Sequence, residues 1–97
     1  YGALHRVVPV TPRPGPRRPA DVVGPVCETA DFLARGARLP PVEQGDLLAV
    51  LDAGAYGASM GSQYNSRPRP AEVVVAGGKA LLARRRETLG DLVRHEL

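Results

Sequence analysis

Four prolines fall within nine residues, in Thr11-Pro12-Arg13-Pro14-Gly15-Pro16-Arg17-Arg18-Pro19. Proline fixes φ and has no N–H to donate, so this stretch excludes helix and any central strand and predicts an exposed loop. The same punctuation runs through the whole chain, with ten prolines and eleven glycines in 97 residues. Such a density excludes a helical bundle and predicts short strands joined by turns. The length suits one domain and not two. A chain this short buries only about 60–65% of the surface its unfolded form exposes, so its core is thin. With no Trp, one Phe and three Tyr, Val, Leu and Ala carry nearly all the packing.

The strand signals are local. Residues 4–10 read as a strand on the β-branched Val7, Val8 and Val10, and the pattern resumes over residues 21–26. Phe32, Leu33 and Leu39 read as scattered apolar residues, closed off by Pro40-Pro41. After the turn at Glu43-Gln44-Gly45-Asp46 comes an unbroken apolar run, Leu47-Leu48-Ala49-Val50-Leu51, which predicts a strand buried on both faces. A short helical turn is expected over residues 58–64, then an extended connector over 65–70. Residues 71–76 and 79–84 flank Gly77-Gly78, the pattern of a hairpin whose two turn residues both need positive φ. Thr88 is placed to cap a last helix over residues 89–95, with Asp91 as its capping-box partner and Gly90 weakening it by about 1 kcal/mol. The sum is mainly β: five or six short strands and one or two short helices.

Composition narrows the function classes. Thirteen basic residues, twelve of them Arg, against ten acidic ones give a net charge of +3. Arginines cluster at Arg13, Arg17 and Arg18 and at Arg84, Arg85 and Arg86, away from the aromatics, which argues against nucleic-acid binding and for solvated side chains. The single cysteine, Cys27, allows no internal disulfide and fits a reducing, cytoplasmic setting. No apolar run approaches the length of about 18 residues that spans a bilayer, and the first residues have no signal-peptide layout. With no initiator Met, the chain is expected to begin partway through a longer one.

Reactive groups crowd at Cys27-Glu28-Thr29-Ala30-Asp31, where a thiol stands beside carboxylates after a Gly24-Pro25 corner. Such a segment can present acid–base groups at a strand end, although its local residues favour a plainer arrangement, a small buried thiol with solvated carboxylates. His5 and His95 are too distant in sequence to pair with Cys27 or to complete a metal site. Gly54-Ala55-Tyr56-Gly57 reads as a tight turn that could also bring backbone N–H groups and a phenol to a phosphate, without the pattern of a nucleotide P-loop. Lys79, the only lysine, follows the hairpin turn and is expected to be exposed, which suits it poorly for Schiff-base chemistry.

Taken together, these segments are more specific than each alone. Gly24-Pro25-Val26-Cys27-Glu28-Thr29-Ala30-Asp31 resembles the G-P-x-C-E-[ST]-x-D segment of the diaminopimelate decarboxylase family. Gly45-Asp46-Leu47-Leu48 with Asp52-Ala53-Gly54-Ala55-Tyr56-Gly57 is similar to that family's next landmark. Tyr64-Asn65-Ser66-Arg67-Pro68-Arg69-Pro70-Ala71-Glu72-Val73 and Arg85-Arg86-Glu87-Thr88 are similar to its C-terminal signatures. The resemblance covers essentially all 97 residues. It implies the C-terminal β-barrel or sandwich domain of a fold-type III decarboxylase dependent on pyridoxal phosphate. The N-terminal (β/α)8 barrel, with its Schiff-base lysine, and the first strand of the β-domain would lie outside this sequence.

The resemblance also implies roles. Cys27 would be the proton donor after CO2 leaves, on a segment reaching into the other subunit of a homodimer. Glu28 and Tyr1 would bind the distal amino-acid end of the substrate, and Tyr56 would touch both the cofactor phosphate and the substrate. Tyr1-Gly2-Ala3 looks like the end of an R-P-x-x-Y segment whose arginine lies upstream. Related ornithine and arginine decarboxylases usually carry Asp after the Cys and an aromatic-Asn-Gly segment later; Glu28 and Tyr64-Asn65-Ser66-Arg67 favour diaminopimelate. The expected reaction is conversion of meso-2,6-diaminopimelate to L-lysine and CO2 by the full-length protein, this segment being inactive alone. The competing expectations are a truncated or split product that only packs against a separate barrel, and an unrelated small β-barrel.

Overall fold

A computed structural model describes residues 2–97, so Tyr1, one of the expected substrate-binding residues, lies outside the described part. The chain forms two compact units, residues 1–55 and 56–97. Six strands occur among the described residues, all in antiparallel pairs.

In the first unit, β1 (Val7–Pro9) pairs with β4 (Leu48–Val50), and β2 (Arg18–Val23) pairs with β3 (Phe32–Leu39). The β1–β4 ladder continues beyond the strands: Val10 N–H donates to the Leu47 carbonyl and Leu51 N–H to the Arg6 carbonyl. Val7 and Leu39 are the buried hydrophobic residues of this unit, at 6% and 4% exposure. The thin core expected from size is therefore observed. The double burial expected of residues 47–51 is not: only three of them form a strand, and Leu47 is 71% exposed. A two-stranded ribbon has one partner at most, so an apolar run there stays open unless another layer covers it.

The eight-residue β3 is the main element that sequence periodicity did not disclose. Its side chains switch phase at Arg35 and Gly36. Ala20 lies opposite Ala37 and Val22 opposite Ala34, so three steps on β3 match two on β2, and one extra residue bulges out. A second residue is inserted between Ala34 and Phe32, which faces Val23. The bulge returns Ala37 and Leu39 to the inward face already used by Phe32 and Ala34. Gly36 sits at φ +61, and its N–H donates to Asp21 Oδ1 at 2.8 Å. The Arg35 guanidinium lies 3.6 Å from the Phe32 ring centroid, a contact worth about 0.5–1 kcal/mol at an exposed site. Nor does the Pro-rich loop run to Pro19 as expected. β2 begins at Arg18, with Pro19 tolerated inside a strand that has a partner on one side only.

The clustered arginines are exposed, as expected, and several are also held by polar contacts at the surface. Arg13 Nη2 lies 2.7 Å from Asp46 Oδ1, while Asp46 Oδ2 accepts the Glu43 N–H, which ties the Pro-rich loop to the turn at 43–46. Arg17 and Arg38 each donate to the other's backbone carbonyl.

In the second unit, β5 (Glu72–Ala76) and β6 (Lys79–Arg84) form the expected hairpin, with Gly77 at φ +56 and Gly78 at φ +72. Arg84 pairs with Glu72 across it. The last helix, α2 (Leu89–Leu92), keeps the expected cap. The Asp91 carboxylate accepts the Thr88 N–H at 2.7 Å and the Thr88 hydroxyl at 2.9 Å, and also pairs with Arg85 and Arg94. It is a single turn, not seven residues, because Val93 already leaves helical ψ. The helical turn expected over 58–64 is displaced to either side of that segment, into α1 (Gly54–Gly57) and a 3-10 turn over Tyr64–Ser66.

The bulge gives a direct check. Gly36→Val puts a β-branched residue at positive φ and is expected to lower stability by about 1–3 kcal/mol in denaturant unfolding, whereas Gly54→Ala, at an open position with ordinary φ, changes it little.

Candidate functional site

The hairpin connection between β2 and β3, residues 24–31, carries the thiol and carboxylates singled out by sequence. Its ends are tied by backbone: Gly24 N–H donates to the Asp31 carbonyl at 2.9 Å. Asp31 N–H donates to the Glu28 carbonyl, and Phe32 N–H to that of Ala30, which folds the returning arm into tight turns. The Asp31 side chain completes the clamp, its Oδ2 accepting the Val26 N–H at 3.0 Å.

Gly24 is what makes room for that carboxylate. A Cβ built on Gly24 would stand 2.1 Å from both Asp31 carboxylate oxygens. A side chain there would push the carboxylate aside, so the glycine and the aspartate seven residues apart form one device. Asp31 is thus a loop clamp, a different use from the acid–base group its carboxylate suggested. Cys27 and Glu28 lie between the clamped ends. Cys27 is exposed, not the buried small thiol that its neighbours favoured, because a strand-connecting loop without apolar cover cannot bury it. Glu28 is exposed beside it. The loop therefore offers solvent an adjacent thiol and carboxylate on a braced support.

Tyr56 belongs to α1, a one-turn helix rather than the plain turn expected, and the Met60 N–H donates to its carbonyl at 3.0 Å. Asp52, at φ +58, turns the chain out of β4 toward this helix, a conformation Asp tolerates better than most residues. The Tyr56 side chain is 71% exposed. The structure thus joins Cys27 to Glu28 on one loop and puts Tyr56 in the other compact unit. Lys79 is exposed at the start of β6, as its place after the hairpin turn predicted.

The residue pattern did not disclose a polar knot in the second unit. Glu87 Oε2 accepts the Arg69 N–H at 2.8 Å and the Gln63 side-chain amide at 3.0 Å, and the Glu87 N–H donates back to the Arg69 carbonyl. The Arg69 guanidinium in turn donates twice to the Gly61 carbonyl. The backbone hydrogen bond from Arg69, then that from Gln63, hold the Glu87 carboxyl below its ordinary value of 4.5. Between the tied ends, Asn65 and Ser66 both adopt left-handed φ, +55 and +58. Two consecutive non-glycine residues there cost of order 1–3 kcal/mol each, somewhat less for Asn, and such a cost persists only where the surroundings impose it. The one available signal was that an acid and an arginine occupied two separate motifs, without any indication that they meet.

Among the described residues no group of three or more His, Cys, Asp or Glu side chains could hold a metal ion. No described helix is long and apolar enough to cross a membrane.

Two checks follow from these geometries. Gly24→Ala is expected to displace Asp31 and quicken hydrogen exchange at the Val26 amide by about tenfold or more, since a hydrogen bond to a charged acceptor contributes about 1.5–3 kcal/mol. For Glu87, a folded-state pKa below the unfolded one means that its stabilisation is present above about pH 4.5 and is lost as pH falls through the lower folded value. In parallel acid melts, wild type should therefore lose stability relative to Glu87→Gln below pH 4.5, and parallel curves would contradict the assignment.

Comparison with known proteins supplies the context of these groups. The sequence profile of the family described as pyridoxal-dependent decarboxylase, C-terminal sheet domain, matches residues 1–54. Diaminopimelate decarboxylase of Methanothermobacter thermautotrophicus is 52% identical over 96 residues, covering 97% of this chain and 22% of that protein. That of Zymomonas mobilis is 50% identical over 96 residues, covering 99% of this chain and 23% of the relative. A crystal structure of diaminopimelate decarboxylase from Helicobacter pylori complexed with L-lysine superposes with a TM-score of 0.90 at 47% identity, over 99% of this chain and 24% of that one. A structure from Aquifex aeolicus gives a TM-score of 0.95, also at 47% identity, over 100% of this chain and 24% of that one. The chain thus spans less than a quarter of the length of the relatives it matches.

Proposed function

Since this chain belongs to the pyridoxal-dependent decarboxylase family, as its C-terminal sheet domain, we propose that residues 1–97 form the β-domain of a diaminopimelate decarboxylase and complete its active site. The reaction is removal of one carboxylate from meso-2,6-diaminopimelate to give L-lysine and CO2. The observation that carries this reading is identity of about 50% to diaminopimelate decarboxylases along nearly the whole chain.

The donor set suits pyridoxal phosphate in part. Tyr56 offers an exposed phenol that can donate to a phosphate oxygen, whereas the only lysine, on an exposed hairpin, has no buried setting to lower its pKa. The anchoring amine then belongs to a (β/α)8 barrel domain of the same protein. When bound, the cofactor supplies the electron sink for loss of CO2. This chain supplies the proton and the substrate contacts. The Cys27 thiol delivers a proton to the carbon that has lost its carboxylate. Glu28, next to it, accepts hydrogen bonds from the distal ammonium group, with Tyr1 assisting at that end. Tyr56 orients both cofactor and substrate.

The uncovered apolar surface supports a larger assembly. Val73, Val74 and Val75 on β5 and Leu81 and Leu82 on β6 are each more than half exposed, so both faces of that hairpin lack cover. A groove of about 660 Å3 runs beside Leu4, His5 and Val7 and along Phe32, Leu33 and Arg38, a surface that the additional strand expected from the enzyme's N-terminus would cover in this reading. The reading includes a cytoplasmic homodimer in which the Cys27 loop serves the neighbouring subunit's site.

The test uses the full-length decarboxylase. Cys27→Ala is expected to lower kcat for CO2 release by about 10²–10⁴-fold, the usual share of a positioned acid, while cofactor absorbance is unchanged. Near-normal turnover would remove Cys27 from the reaction.

A further inference from the structure

The knot of Gln63, Arg69 and Glu87 ties together both ends of a short loop whose apex holds two left-handed residues. Its apex, Tyr64–Ser66, is a single 3-10 turn with Arg67 N–H donating to the Tyr64 carbonyl at a long 3.3 Å. Asn65 and Ser66 are both left-handed, and Tyr64, Asn65, Ser66 and Arg67 are all exposed. An isolated peptide of this sequence would relax to ordinary φ. What opposes relaxation is at the base of the loop. Gly61 is held by two guanidinium hydrogen bonds from Arg69, at 3.1 and 3.3 Å, and Gln63 by Glu87 at 3.0 Å. Arg69 is held by the same Glu87 oxygen at 2.8 Å. One carboxylate oxygen thus anchors the loop on both sides of its apex. The Glu87 side chain is one-fifth exposed, shielded enough for these bonds to compete with water.

The geometry points to Glu87 as a positioning residue for the decarboxylation: through Gln63 and Arg69 it holds the Tyr64–Arg67 turn in the shape in which that turn meets the substrate. This rests on the function proposed above. An exposed loop kept in a costly conformation by a dedicated polar base is expected where a fixed surface must be presented. The apex carries a phenol, an amide, a hydroxyl and a guanidinium, groups that suit the charged and hydrogen-bonding ends of a diamino dicarboxylic acid. Glu87 makes none of these contacts; its effect passes through the turn.

The closing experiment is steady-state kinetics on the full-length holoenzyme with Glu87→Ala and Glu87→Gln, using diaminopimelate as the probe. Glu87→Ala should raise KM by about tenfold while kcat changes little, the signature of lost binding rather than lost chemistry. Glu87→Gln keeps an oxygen able to accept from both Arg69 and Gln63, so it should restore KM to within about threefold of wild type. An unchanged KM in Glu87→Ala, or a Gln variant as impaired as Ala, overturns the inference. Should Glu87→Ala fail to fold, Gln63→Ala removes one of the two ties and leaves every apex group in place. It should raise KM in the same way, and an unchanged KM there overturns the inference too. A wild-type holoenzyme that releases no CO2 from diaminopimelate overturns the underlying function as well, which separates the two failures.

Discussion

Asp31 folds its carboxylate back across Gly24 and takes the Val26 N–H, and the presentation of Cys27 and Glu28 follows from that contact. The physics is simple. A loop between two antiparallel strands would otherwise sample many shapes, and an exposed thiol on it would have no fixed position. One charged acceptor, seated in the space left by a missing Cβ, ties the two arms of the loop together. The rest of the first unit serves this arrangement: β2 and β3 bring residues 24 and 31 together, and the bulges set which face each strand turns inward.

The polar knot in the second unit applies the same principle by other means. There a single Glu87 oxygen gathers Arg69 and Gln63, and Arg69 reaches on to Gly61. In both places a loop is tied by charge-assisted hydrogen bonds rather than by burial, and in the second they hold two left-handed residues. That fits a chain with Val7 and Leu39 as its buried hydrophobic residues and with large apolar side chains exposed elsewhere. Where packing is scarce, directed bonds set the local shape.

The sequence disclosed what is decided by neighbours. Gly77-Gly78 prefers positive φ whatever surrounds it, and Thr88 finds Asp91 three residues on, so the hairpin and the capped helix were legible. β3 was not, because Arg35 and Gly36 break the alternation and only the register against β2 reveals the inserted residues. The burial of Leu47–Leu51 could not be read either, since apolar character records what a strand needs and not what lies against it. For the proposed site, Cys27, Glu28 and Tyr56 were singled out through likeness to a family, while their local residues alone favoured a buried thiol and a plain turn. Glu87 and Arg69 are 18 residues apart and meet only through the fold.

Cys27 is the sole sulfhydryl of this chain and stands in the open on a braced loop. A maleimide dye or a nitroxide added to this segment would therefore attach at one known place, with little of the tether wobble that blurs such reporters on floppy loops. The residue assigned to the chemistry doubles as a built-in handle for watching that part of the protein.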